Sequence, residues 1–129
     1  MSDAKNAGSL AGKRILVVED EAMIWMLIED SLVEHGCRAI GPLSRIDEAL
    51  RAAETEAVDA ALLDLNLAGK SSYPVADTLI RRGIPFGFLT GYGEAGLNEA
   101  YRQRPVLQKP FTERTLMALV SSLIASPRQ

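Results

Sequence analysis

Between Lys13 and Ala125, short apolar runs alternate with longer stretches in which apolar residues recur at helical spacing. RILVV (14–18) is an unbroken apolar run rich in β-branched residues, the pattern of a strand covered on both faces. Residues 21–35 follow with helical periodicity and stop at Gly36, a favoured C-terminal cap. CRAIG (37–41) predicts a short second strand. Ser44 can cap a helix running to about Thr55, with Asp47 three residues on and acidic side chains early in the run. VDAALLDL (58–65) predicts a third strand. Residues 72–82 predict a third helix, with Pro74 tolerated in its first turn and Gly83 closing it. IPFGFLTG (84–91) predicts a fourth strand, 94–103 a fourth helix and VLQ (106–108) a fifth strand. Thr112 opens a last helix that runs to about Ala125.

Five strands alternating with five helices predict the α/β class, with a five-stranded parallel sheet and helices on both faces. Crossovers in such sheets are right-handed. Sites form beyond the carboxyl ends of the strands, where the strand order reverses. Those ends are therefore where chemistry is to be sought.

Composition narrows the choice further. The 129 residues suffice for one ordinary domain, read here as 13–125, with a flexible leader (1–12) and a short tail (126–129). The chain is 47% hydrophobic and 24% charged with net charge −3, and its basic residues are scattered. Nucleic-acid binding has no electrostatic basis. A lone cysteine, Cys37, excludes an internal disulfide and reads as a small buried hydrophobe in a reducing compartment. No run approaches the roughly 20 apolar residues of a membrane span, and the N-terminus lacks the apolar middle of a signal peptide. A cytoplasmic location without membrane attachment is expected.

At the predicted carboxyl ends stand Glu19-Asp20, with Glu21 following, then Asp64, Thr90 and Lys109. Each has an ordinary reading. The acidic pair suits a solvated helix N-terminus, Asp64 a turn before Asn66 and Gly69, Thr90 a cap, and Lys109 a surface charge. A parallel sheet, however, gathers all of them on one edge. Crowded carboxylates repel, so one must be protonated or a cation must sit among them. An all-oxygen site of this kind suits Mg²⁺. A carboxylate beside such a cation can act as a nucleophile toward a phosphoryl group. Lys109 and Thr90 can then supply charge and a hydrogen bond to the transferring oxygens.

On these residues the sequence resembles the receiver domains of two-component response regulators over roughly 13–125. The matching elements are ILVVEDE with Glu19-Asp20, ALLDLNL with Asp64, FLTG with Thr90, and QKPF with Lys109. The resemblance implies the (βα)5 flavodoxin-like fold with strand order 2-1-3-4-5. It also implies that a histidine kinase or phosphotransfer protein phosphorylates Asp64. Asp20 and Asp64 are implied to bind Mg²⁺, with Glu19 near the ion or acting through water, and the backbone carbonyl of Asn66 to complete the ligands. Lys109-Pro110 resembles the family's cis peptide.

One departure stands out. Many receivers carry Tyr or Phe three residues before the lysine, where this chain has Val106. Its aromatics lie instead in PFGFLTGYGE (85–94), similar to the "FATGUY" subgroup of regulators except that Leu89 replaces the signature alanine. That likeness implies a partner kinase of the HWE type or a relative. Phe86 and Phe88 also read as alternate strand positions filling the core. The glycines at 87, 91, 93 and 96 suggest that 91–98 is mobile before phosphorylation and ordered by a Thr90–phosphoryl contact.

Helix 21–35 carries two apolar stripes. Ile24, Leu27, Ile28, Ser31 and His35 are assigned to the sheet. Ala22, Trp25, Met26 and Val33, with Glu29 among them, lie nearly opposite. Of these, Ala22, Trp25 and Met26 are the expected partner surface, unless Trp25 folds back on its own protein. His35, in the last helical turn, reads as structural. A phosphatase of the haloacid dehalogenase type requires a second acid two residues after its nucleophile, where this chain has Asn66. A dinucleotide binder requires a Gly-rich turn after the first strand, and none is present. The remaining alternative is a receiver-like module that binds a partner without phosphorylation. The favoured expectation is a regulator of one receiver domain that is not a metabolic enzyme. Its own chemistry would be phosphoryl acceptance and slow self-dephosphorylation, and it would signal to a downstream protein effector.

Overall fold

The computed structural model of the chain describes residues 10–91 and 97–125. Its regular elements are β1 (Arg14–Val18), α1 (Ala22–Glu34), β2 (Arg38–Leu43), α2 (Ile46–Thr55), β3 (Ala60–Asp64), the small pair β4 (Asn66–Leu67) and β5 (Lys70–Ser71), α3 (Tyr73–Arg82), β6 (Phe86–Thr90), a 3-10 turn (Glu99–Tyr101), β7 (Val106–Gln108) and α4 (Glu113–Ala125). The main sheet is five-stranded in the order β2-β1-β3-β6-β7. All four of its pairings are parallel. Counting only these five strands, the order is 2-1-3-4-5, the flavodoxin-like arrangement.

Strand alternation sorts side chains into two cores. Leu16, Val18, Ala61, Leu63, Phe86 and Phe88 face one side, where Ala49 and Ala53 of α2 and Val75, Ala76 and Leu79 of α3 cover them. Ile15, Val17, Ala60, Leu62 and Leu89 face the other, under Ile28 and Leu32 of α1 and Leu116, Met117, Val120 and Leu123 of α4. Both faces of β1 and β3 are therefore dry, which is why their sequences are continuously apolar. At Gly87 the sheet is closely covered, since a Cβ there would lie 3.1 Å from a Leu119 methyl.

Several boundaries differ from the sequence expectation, each for a local reason. Strand β2 runs on to Leu43 past a cis Gly41–Pro42 peptide, because its register against β1 shifts between Leu16 and Val18. Ser44 does not cap α2. The helix starts at Ile46 with Arg45 at the N-cap and no side-chain cap bond, while Asp47 binds Arg45 in an exposed ion pair. Residues 94–96 of the expected fourth helix lie outside the described residues. The described remainder is one 3-10 turn, opened by the Asn98 side chain accepting from the Ala100 N–H and followed closely by Pro105, which disfavours helix at the residue before it. Of the expected leader, Leu10 packs against the α1/α4 core, and the Gly12 N–H donates to Gly36 O at 2.8 Å. Residues 1–9 and the tail 126–129 lie outside the described residues. Thr112 does open α4: its hydroxyl accepts from the Thr115 N–H at 3.1 Å.

Candidate functional site

Strand β1 ends at Val18, so Glu19 and Asp20 leave the sheet at its carboxyl edge. The Glu19 N–H donates to Leu43 O of β2 at 3.1 Å, which fixes where the acidic pair begins. The Glu19 side chain turns inward and is fully buried, whereas Asp20 is exposed. On the neighbouring strand, Asp64 closes β3 with only 5% of its surface exposed. The next residue is tied across the sheet, the Leu65 N–H donating to Leu89 O at 2.8 Å. The carboxylate oxygens of Glu19, Asp20 and Asp64 lie within 4.8 Å of one another. Glu19 Oε1 is buried and lacks a hydrogen-bond partner.

Lys109 reaches this cluster from just beyond β7. Its backbone N–H donates to Thr90 O at 2.7 Å, joining the ends of β7 and β6. The following Lys109–Pro110 peptide is cis. The ammonium lies 3.0 Å from Glu19 Oε1, 2.8 Å from Glu21 Oε1 and 3.4 Å from Asp64 Oδ2. The contact with Glu19 Oε1 is close in distance but lacks hydrogen-bond alignment; the aligned bond goes to Oε2 at 3.2 Å. Oε1 therefore feels the charge while keeping a lone pair for another ligand. Burial alone would weaken the lysine's hold on its proton, but hydrogen bonds to Glu21 and Glu19 and the charge of Asp64 outweigh it and hold its pKa above the usual lysine value.

Asp64 responds in the opposite sense to a normal carboxyl. Burial first, and the charge of Glu19 second, push its pKa up to about 7, although Lys109 and the Asn66 N–H pull it down. A cation among the three carboxylates would relieve that repulsion. Exposed Asp20, the open lone pair of Glu19 and the strained acidity of Asp64 form a hard oxygen donor set that suits Mg²⁺ better than a softer metal. Asn66 opens the β4–β5 hairpin, and its N–H lies 3.4 Å from Asp64 Oδ1. That hairpin was not legible in the sequence. Its turn needs positive φ at Ala68 (52°) and Gly69 (84°), and only the glycine signals this.

Thr90 ends β6 and is buried. Phe86 and Phe88, four and two residues earlier on consecutive same-face positions, belong to the core. Of the stretch 91–98 expected to move around Thr90, residues 92–96 lie outside the described residues. A cleft of about 860 Å³ lies at the other end of the sheet, between Ile80, Pro85 and Arg104. It is remote from these ionisable groups, so the strand-end crevice is the candidate site on its chemistry.

Of the residues expected on the outward face of α1, Ala22 and Met26 are exposed, and Trp25 takes the alternative of folding back on its own protein. Trp25 is half-buried and packs against the α1/α4 core, because the wide apolar face that buries Ile28 and Leu32 extends round to it. The outward stripe keeps Ala22, Met26 (58% exposed) and Val33 (61%) and gains Met23 (84%). Met23 was missed, since a methionine gives little sign of which face it occupies. Glu21, which the sequence marks only as a neighbour of the acidic pair, makes the shortest contact to the Lys109 ammonium.

Comparison with known proteins gives this geometry a context. The sequence model of the response regulator receiver domain matches residues 15–121. The transcriptional regulatory protein PdtaR of Mycobacterium tuberculosis is 26% identical over 128 residues, covering 96% of this chain and 62% of PdtaR. The chain thus spans about 62% of the length of that curated relative. The solution structure of SdrG from Sphingomonas melonis Fr1 is similar at 40% identity and a TM-score of 0.79, covering 88% of this chain and 98% of SdrG. The receiver domain of the sensor histidine kinase PA1611 from Pseudomonas aeruginosa PAO1, which has a magnesium ion in its active-site cleft, is similar at 29% identity and a TM-score of 0.75. That match covers 90% of this chain and all of the PA1611 domain. No helix among the described residues is long and apolar enough to cross a membrane.

Proposed function

The chain belongs to the response regulator receiver domain family, and from that premise we propose that it is a Mg²⁺-dependent switch phosphorylated on Asp64. The observation that carries this reading is the position of the Lys109 ammonium, 3.4 Å from Asp64 Oδ2 and 3.0 Å from Glu19 Oε1, against a cluster of carboxylates that Asp20 completes. A buried carboxylate flanked by a fixed cation and by further oxygen ligands is arranged to accept a phosphoryl group.

In the proposed step an Asp64 carboxylate oxygen attacks the phosphorus of a partner's phosphohistidine. An O–P bond forms, the P–N bond breaks, and the imidazole leaves with its electron pair and takes up a proton. Asp64 must be ionised to attack, and its raised pKa is what a bound cation would bring down. Glu19, Asp20 and Asp64, with the backbone carbonyl of Asn66, would hold Mg²⁺, which supplies positive charge to the acceptor and to the phosphoryl oxygens. Lys109 neutralises the charge of the new acyl phosphate, and the Thr90 hydroxyl donates to one of its oxygens. Attack of water on phosphorus returns phosphate and the free carboxylate.

The partners belong to this proposal: a histidine kinase, of the HWE type that the PFGFLTGYGE stretch suggests, or a phosphotransfer protein, and a downstream protein effector. The outward stripe of Met23, Met26 and Val33 beside the crevice is the surface on α1 suited to a partner helix. A cytoplasmic location is part of the same reading.

The test is intact mass after incubation with acetyl phosphate, with and without Mg²⁺, beside Asp64→Ala. A Mg²⁺-dependent gain of one phosphoryl group, absent from the variant, is expected. No adduct, together with no uptake of beryllofluoride in the presence of Mg²⁺, would favour a receiver-like module that binds without phosphorylation.

A further inference from the structure

The Lys109 ammonium has three N–H donors and three carboxylates around it. Glu19 takes the buried side, with its side chain 0% exposed, while Glu21 is 62% exposed and stands at 2.8 Å. Asp64 is the most distant of the three at 3.4 Å. The ammonium's two hydrogen bonds thus go to Glu21 and Glu19, and the strongest contact in the unphosphorylated protein is not with the acceptor.

Phosphorylation of Asp64 would place new anionic oxygens beyond the carboxylate and draw the Lys109 ammonium toward them. As the ammonium moves, one of its two hydrogen bonds has to yield. Releasing Glu19 would strip a buried carboxylate oxygen of its ammonium donor where no water can replace it, which is costly. Releasing Glu21 returns an exposed carboxylate to water at little cost. Glu21 is also well held for its part: it is the N-cap of α1, and its N–H donates to Glu19 Oε2 at 3.0 Å.

We infer that Glu21 is a positioning residue that acts through Lys109, holding the ammonium in the resting protein and competing for it with the phosphoryl group on Asp64. This rests on the receiver-switch reading above and adds to it a built-in opposition to phosphoryl acceptance. Removing the charge of Glu21 frees Lys109 for the phosphoryl oxygens without disturbing the buried pair. Glu21→Gln therefore binds the phosphoryl mimic more tightly than the wild type.

The experiment is a beryllofluoride titration of wild type and Glu21→Gln at saturating Mg²⁺, followed by NMR. The ¹H–¹⁵N signal of the Lys109 ammonium and the thermal midpoint are recorded for both metal-free proteins. The variant is expected to bind beryllofluoride about 3- to 10-fold more tightly, an increment suited to one partly exposed charge pair. Its Lys109 signal should be shifted in the free protein, with the midpoint unchanged. Loss of a carboxylate near the metal site can only weaken Mg²⁺ binding, so tighter binding of the mimic cannot arise from the ion. Wild-type uptake with equal or weaker uptake by the variant overturns this inference alone, as does an unshifted Lys109 signal. Failure of the wild type to take up beryllofluoride overturns the switch reading and this inference together.

Discussion

The rings of Tyr73 and Tyr101 lie stacked, 4.3 Å between centroids and 15° between planes. Phe88 meets both edge-on at 6.0 Å. The Tyr101 hydroxyl donates to Asp77 Oδ1 at 2.5 Å, and the Tyr73 hydroxyl oxygen accepts from the Asn98 N–H at 2.5 Å. Residues 98–101 are thereby fastened to α3 and to the β6 core. Val106 pairs with Phe88 in the sheet and supplies no ring of its own. The aromatic density next to the site comes from the connection after β6 and from α3 instead of from β7.

Tyr101 is buried, so Tyr101→Ala should cost about 3 kcal/mol through lost packing, whereas Tyr101→Phe, which removes only the bond to Asp77, should cost about 1 kcal/mol. Urea denaturation of the two variants checks this. Equal, small losses would mean that the stack does not fasten the connection.

The ionisation of Asp64 makes stability depend on pH. Its folded pKa of about 7 lies above the usual carboxyl value near 4, so the folded protein keeps the proton longer than the unfolded chain. The stability this group contributes is complete below about pH 4 and is lost as the pH rises through 7. In chelator-treated buffer at pH 8, Asp64→Asn should melt several degrees above the wild type. The gap should narrow steadily toward pH 5 and shrink when Mg²⁺ is added. Scanning calorimetry at four pH values measures it, and a gap that stays constant with pH would count against the raised pKa.

Gly41 has φ of +130°, and a Cβ there would lie 2.6 Å from Val17 O. Gly41→Ala should therefore destabilise the protein by about 2 kcal/mol or more. The strain falls on the strand whose Leu43 carbonyl receives the Glu19 N–H. Mg²⁺ affinity should fall along with the melting temperature, and isothermal titration alongside the melt reads both. An unaltered Mg²⁺ affinity would separate β2 from the site.

Trp25 and Met26 are neighbours with different duties. Trp25→Ala should cost about 2 kcal/mol because it uncovers the α1/α4 core, while Met26→Ala should stay within about 0.5 kcal/mol. Chemical denaturation distinguishes them. Equal effects would return Trp25 to the exposed surface of α1.

The sequence by itself determined the alternation of strands and helices, since periodicity is local and each segment carries its own. It also determined the gathering of Glu19, Asp20, Asp64, Thr90 and Lys109 at one edge, because parallel strands with helical crossovers leave their carboxyl ends on the same side whatever the details of packing. Tertiary structure decided what those residues do to each other. That Lys109 prefers Glu21 and Glu19 to Asp64, across 88 and 90 residues of chain, depends on the lengths and directions of side chains from separate strands. That Trp25 is half-buried depends on how far α4 overlaps α1. The β4–β5 hairpin depends on Ala68, a residue with no local preference for positive φ, and the short turn at 99–101 on the ring of Tyr101 finding Tyr73. A pattern along the chain fixes which face of an element is apolar. Only the assembled elements fix which atoms meet, and the charge balance around Asp64 arises from those meetings.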